Sequence, residues 1–181
     1  MQIEETALAG VRVIEPKVFR DARGAFTEAF NARRYVDVVG PDTTFVQDNL
    51  SRSARDVLRG LHFQIRQPQG KLVTVFRGAI VDVVVDLRRS SPTFGRHVTV
   101  DLTEENGRQL WVPVGCAHGF LSRADDTLVH YKATDFYAPN HERTLIWNDP
   151  QISIDWPLDG APQLSAKDAD GQRLVDIETF P

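Results

Sequence analysis

The chain has 181 residues, 41% of them hydrophobic and 25% charged, with a formal net charge of −4. That length suits one domain with a real core, and the acidic balance argues against nucleic acid as the main partner. The single cysteine, Cys116, excludes an intrachain disulfide and fits a reducing compartment; no leader-like segment opens the chain and no apolar run approaches the ~20 residues of a spanning helix, so a cytoplasmic protein without a membrane partner is expected.

Residues 1–20 read as short strands, and the tight turn Asp21-Ala22-Arg23-Gly24 leads into residues 24–30. Asn31 caps a short helix over 31–39, which Gly40-Pro41-Asp42 stops. Gln47-Asp48-Asn49 reads as a polar loop. If residues 57–64 are extended, Leu58, Gly60, His62 and Gln64 share one face and Arg59, Leu61 and Phe63 the other. Lys71 to Phe76 is β-rich and turns at Arg77-Gly78. In residues 79–87, Val81, Val83, Val85 and Leu87 alternate with Ile80, Asp82, Val84 and Asp86, the pattern of a strand with one face fully buried. Residues 97–102 alternate likewise, and Gln109 to Val114, Gly119 to Ser122 and Leu128 to Phe136 read as further strands between turn signals. The tail from Asp155 to Pro181 is polar, with one short helix after Ser165. Many short strands, almost no helix, and neither repeat nor linker indicate a single all-β domain, a sandwich or barrel, with Greek-key or jelly-roll order preferred to up-and-down.

His62 lies within Leu58-Arg-Gly-Leu-His-Phe-Gln64, with Arg59 beside it and Lys71 close in sequence. Two basic groups near a histidine on a barrel strand place a functional role ahead of a merely packed imidazole. His118, between small residues in Pro113-Val-Gly-Cys-Ala-His-Gly-Phe120, reads equally as a turn histidine or a ligand contact. Metal-binding barrels usually pair two histidines one residue apart; no His-x-His occurs here, so no metal is expected. By spacing alone Tyr131 reads as an aromatic core position on a face with Val129, Ala133 and Asp135, and Asp168 as a capping or surface aspartate. His97, His130 and His141 read as surface or strand-face residues.

The ordered set Phe19-x-Asp21-x-Arg23-Gly24-x-Phe26-x-Glu28, Gln47-Asp-Asn49, Leu58-Arg-Gly-Leu-His-Phe-Gln64, Gln69-Gly-Lys-Leu-Val73, Ala117-His-Gly-Phe120, Tyr131-Lys132, Trp147-Asn-Asp-Pro150, Asp155-Trp-Pro157 and Leu164-Ser-Ala-Lys-Asp168 resembles the dTDP-4-dehydrorhamnose 3,5-epimerase family from about residue 3 to about 170. The resemblance implies a cupin-type jelly roll without metal or organic cofactor, acting on a dTDP-4-keto-6-deoxy sugar. It implies a homodimer whose N-terminal strands pair with the partner's sheet. It assigns the base to His62, the aspartate that orients it to Asp168, the proton donor to Tyr131, and the lysine beside the sugar carbonyl to Lys71. Gln47, Asn49, Arg59, His118, Tyr137, Glu142 and Lys167 match positions that contact substrate or line the pocket, and Phe19, Arg23, Phe26 and Glu28 would help line the partner's pocket. Cys116 stands where the family pattern suggests a bulkier residue, a difference of packing. Related enzymes that invert only C3 or only C5, a 3,4-ketoisomerase on a similar scaffold, and a non-catalytic sugar-nucleotide binder remain as alternatives.

Overall fold

The computed structural model describes residues 1–181. Alternating sequence folds into strands β1 (Gln2–Glu5), β2 (Arg12–Glu15), β3 (Val18–Asp21) and β4 (Gly24–Thr27), then helix α1 (Ala32–Val39). Strands β5 (Gln47–Ser53), β6 (Leu58–Gln64), β7 (Lys71–Arg77), β8 (Ala79–Asp86) and β9 (His97–Thr103) follow. Strands β10 (Gln109–Val112), β11 (Cys116–Ser122), β12 (Thr127–Ala133) and β13 (Glu142–Thr144) come next, and helix α2 (Ala166–Ala169) lies in the tail. Two antiparallel sheets result, one of six strands in the order β1-β2-β10-β7-β12-β5 and one of five in the order β13-β6-β11-β8-β9; β3 and β4 form a separate hairpin. The all-β jelly-roll expectation holds.

Between the sheets, Val73, Val75, Leu110 and Val129 of the first meet Ile80, Val84, Leu102 and Phe120 of the second. Each outer face is covered as well. Tyr35 and Val38 of α1 pack on Ile14, Leu72 and Trp111 of the six-stranded sheet. Asn31 caps that helix as expected, its Oδ1 accepting from the Arg33 and Arg34 amides at 3.1 and 3.4 Å. Over the five-stranded sheet, Ile152, Trp156, Leu174 and Ile177 of the tail cover Leu58, Leu61, Val81, Val83 and Leu121.

That cover corrects two expectations. The tail is not merely polar, and β8 is buried on both faces, from Ile80 through Asp86. A strand roofed on both sides loses the contrast that alternation relies on. Several boundaries also move: the strand begun at Gly119 starts at Cys116, the one expected to reach Phe136 stops at Ala133, the one expected to reach Val114 stops at Val112, and Gln47-Asp48-Asn49 opens β5 instead of forming a loop.

The face assignment along residues 58–64 is also corrected. His118 pairs with His62, but Phe120 pairs with Arg59, so β6 carries one residue more than β11 between those rungs. A bulge of this kind shifts the alternation. Leu58 and Leu61 both join the outer cluster, while Arg59 and His62 both line the inner cavity. Gly60 allows it: its φ is +125°, and a Cβ there would lie 2.6 Å from the Gly119 Cα.

Candidate active site

A cavity of about 410 Å³ opens at one end of the barrel, within the range of small-molecule sites. Strand β6 brings His62 and Arg59, β7 brings Lys71, β11 brings His118, and β12 brings Tyr131. The edge strand β5 adds Gln47 and Asn49. Tyr137 and Glu142 come from the segment after β12, and α2 adds Lys167 and Asp168.

His62 Nε2 lies 2.5 Å from Asp168 Oδ1, across 106 residues of sequence. Asp168 is 3% exposed and does not cap its helix; Ser165 does, its Oγ accepting from the Asp168 amide at 3.1 Å. The capping or surface reading of Asp168 is therefore wrong. With Nε2 held, His62 Nδ1 is the nitrogen left for a ligand. Burial lowers the His62 pKa, and the positive Lys167 and Lys71 add to that, against the opposing pull of Asp168. Burial raises the Asp168 carboxyl, but its bonds to His62 and Ser165 outweigh it, and the group stays ionised below the usual carboxylate range.

Lys71 Nζ is 3.4 Å from the His62 carbonyl oxygen. Enclosure brings its pKa down to about 8, with Glu142 and Asp82 resisting the shift. Tyr131 is half-buried against the inner core. Burial raises its phenol above the ordinary value, Arg59 opposing. It is thus both the core aromatic that spacing suggests and a cavity residue.

Toward the rim, Tyr137 Oη donates to Glu142 Oε2 and Lys167 Nζ donates to Glu142 Oε1, each at 2.9 Å. Burial alone would raise the Glu142 carboxyl, but these two donors hold it below its usual value. Gln47 Oε1 accepts from the Tyr137 amide at 2.8 Å, and its Nε2 donates to Asn49 Oδ1 at 3.0 Å. Arg59 Nε donates to Ser53 Oγ at 3.0 Å, fixing the guanidinium at the entrance. His118 Nε2 lies 2.6 Å from Asp82 Oδ1.

Eleven of the fifteen residues singled out in the sequence share this cavity. The other four do not reach it within the chain. Phe19 and Phe26 stand 53% and 70% exposed on the β3–β4 hairpin, Arg23 pairs with Asp21 at its tip, and Glu28 bonds Asn31. The sequence reading missed Ser51, Gln64, Gln69 and Ser165, although Gln64 and Gln69 sit inside recognised motifs. It also missed Asp82, whose signal was a carboxylate on the Ile80–Val84 face. Cys116 packs in the inner core, where burial pushes its thiol up to about 12, an inert side chain. No three His, Cys, Asp or Glu side chains are grouped to hold a metal ion.

A carboxylate-held imidazole, a phenol and a buried ammonium around one cavity can move protons and steady a developing negative charge, which places the chain among acid–base isomerases of the jelly-roll class. The chain belongs to the dTDP-4-dehydrorhamnose 3,5-epimerase family, whose profile matches residues 5–176. It is 52% identical to the dTDP-4-dehydrorhamnose 3,5-epimerase of Pseudomonas aeruginosa over 181 residues, covering all of both chains. It superimposes with a TM-score of 0.95 on a Legionella pneumophila dTDP-6-deoxy-D-glucose-3,5-epimerase solved with dTDP-4-keto-L-rhamnose, at 48% identity over 98% of this chain and 94% of that one. It also resembles a 3'-monoepimerase of Streptomyces bikiniensis in complex with dTDP-quinovose, at TM-score 0.89, 35% identity and coverage of 94% and 86%.

Proposed function

We propose that the chain inverts C3 and C5 of dTDP-4-dehydro-6-deoxy-D-glucose to give dTDP-4-dehydro-L-rhamnose. The observation that carries this reading is the 2.5 Å His62–Asp168 contact in a cavity shared with Lys71 and Tyr131. The C4 carbonyl acidifies the protons on C3 and C5. His62, neutral at pH 7 because burial lowers its pKa, takes a proton from one of these carbons through Nδ1. The C–H electron pair moves into the ring and leaves an enolate with its charge on the C4 oxygen. Lys71 faces that charge; a preorganised cation where charge develops is often the largest catalytic contribution. Asp168 steadies the imidazolium that forms, as in other His-Asp pairs. Tyr131, kept protonated by burial, returns a proton to the opposite face of the carbon, and exchange with water resets His62 and Tyr131. A positioned base contributes about 10²- to 10⁴-fold.

Arg59, with Gln47 and Asn49, supplies the polar rim for the dTDP group; the fork of Arg59 suits a diphosphate oxygen. Tyr137, Glu142, Lys167 and His118 shape the wall around the sugar. Residues 1–181 act as a single jelly-roll domain in a cytoplasmic homodimer. An isolated hairpin is marginal in water, and the exposed Phe19 and Phe26 favour β3–β4 reaching a partner's cavity, with Arg23 and Glu28 beside it. No helix is long and apolar enough to cross a membrane.

Incubation with the 4-keto sugar nucleotide in deuterated water, followed by NMR of the ring, tests this reading. Deuterium at both C3 and C5 with inverted configuration is expected. His62→Ala should abolish exchange at both carbons, and retained exchange would refute the base assignment. Tyr131→Phe should lose inversion while keeping part of the exchange. Inversion at a single carbon would instead establish a monoepimerase, the reading favoured by the likeness to the Streptomyces bikiniensis enzyme. Sedimentation should show a dimer that weakens with Phe26→Ala.

A further inference from the structure

The proposed reaction uses one of two histidine–aspartate pairs whose histidine lines the cavity. His118 on β11 is the register partner of His62 on β6, and its own aspartate, Asp82, lies on β8. Across the β8–β11 ladder His118 faces Val84 and Phe120 faces Asp82, so the pair meets diagonally on one face. His118 is 6% exposed and Asp82 is fully buried.

A carboxylate only accepts hydrogen bonds, so the ring nitrogen 2.6 Å from it carries the hydrogen. In the neutral ring Nδ1 is then an acceptor. His118 lines the cavity, and with Nε2 taken by Asp82 its Nδ1 is the nitrogen without a protein partner. Nδ1 is thus the His118 atom left to meet a ligand there. The second oxygen of Asp82 is sealed without a bond. A buried carboxylate with one bond amid Ile80, Val84 and Phe120 is a poor choice for packing. Valine would serve the strand better. Aiming an imidazole accounts for the aspartate; filling the core does not.

We propose that Asp82 is a positioning residue for the epimerisation: it holds His118 with Nε2–H toward β8 and Nδ1 toward the cavity, where Nδ1 accepts a hydrogen bond from a ring hydroxyl of the sugar. This rests on the function proposed above and extends it. The sugar ring thereby faces two imidazoles side by side on adjacent strands, one reacting and one orienting. Partners that orient a functional histidine typically change function 10- to 100-fold when removed.

The test compares Asp82→Ala with Asp82→Asn, whose amide oxygen still accepts from Nε2–H. Asp82→Ala should lower kcat by about 10- to 100-fold and leave dTDP affinity within about threefold, since the proposal assigns His118 to the sugar and Arg59 to the diphosphate. Asp82→Asn should recover most of the lost kcat. A kcat for Asp82→Ala within about twofold of the parent, or equal impairment in both variants, overturns the proposal. If Asp82→Ala does not fold, nitrogen-15 NMR of the unmodified protein decides. The His118 Nδ1 resonance should move when dTDP-glucose binds and stay put with dTDP alone; no difference between the two overturns the proposal. Failure of the unmodified protein to turn over the 4-keto sugar would instead refute the proposed function, and the NMR comparison would still report on His118.

Discussion

The depressed His62 and Lys71 set a working pH window. The proposed base must be neutral, and burial places its proton loss below the ordinary histidine value of about 6.5. The cation must stay protonated, and burial brings its pKa to about 8. The free-enzyme profile, kcat/KM against pH, should therefore be a bell with its acid limb below about 6.5 and its alkaline limb near 8. Lys71→Arg should remove the alkaline limb, because guanidinium keeps its proton throughout this range; an unchanged limb in an active Lys71→Arg variant would assign it to another group. At this scale the site was unevenly legible in the sequence. His62, Arg59 and Lys71 stood out because three basic side chains fall close together in sequence among apolar residues. Asp168 did not, since a carboxylate beside a short helix carries no sign of what it meets 106 residues away. Tyr131 was ambiguous for a physical reason: an aromatic at the floor of a cavity is also part of the core.

Periodicity located most strands, and failed where it met a local irregularity or a second roof. The β6 bulge moves Arg59 to the face of His62, and nothing in strict alternation announces a one-residue insertion. On β8 the buried Asp86 shows what a carboxylate in the core needs. Its oxygens accept from Arg88 Nε at 2.8 Å, Ser91 Oγ at 2.5 Å and Thr93 Oγ1 at 2.6 Å, and from the Arg88 amide at 3.0 Å. Burial raises its pKa, but those donors outweigh it and bring the group from 3.8 to about 2. A depressed carboxyl stabilises the fold above its unfolded value, and that contribution is lost as pH falls through its folded value. Roughly 2 kcal/mol should therefore disappear between about pH 4 and pH 2. Asp86→Ala, which leaves the Arg88 charge half-buried and unpaired, should cost about 3–5 kcal/mol in urea unfolding. A loss under ~1 kcal/mol would show that the cluster is not a structural anchor for the 88–96 loop.

At the scale of the whole molecule, four layers stack: α1, the six-stranded sheet, the five-stranded sheet and the tail. The first three follow from strand patterning and one capped helix. The fourth was hidden because its apolar residues, Ile152, Trp156, Leu174 and Ile177, are scattered among polar ones with neither helical nor strand period. Trp156 is buried and donates from Nε1 to the Trp147 carbonyl at 2.9 Å. Trp156→Ala should lower stability by about 3–5 kcal/mol. It should also lower turnover in mild denaturant before the circular dichroism of the barrel changes. Coincident loss of the two signals would mean that the tail and barrel unfold as one unit.

The tail that roofs the five-stranded sheet also carries Asp168. Short bridges hold it down, pairing Gln163 with Val57, Gln172 with Leu145 and Phe180 with Arg88. Lifting the tail takes Asp168 away from His62, so the imidazole loses the carboxylate that holds Nε2. Docking of the tail and completion of the histidine–carboxylate pair are therefore one event.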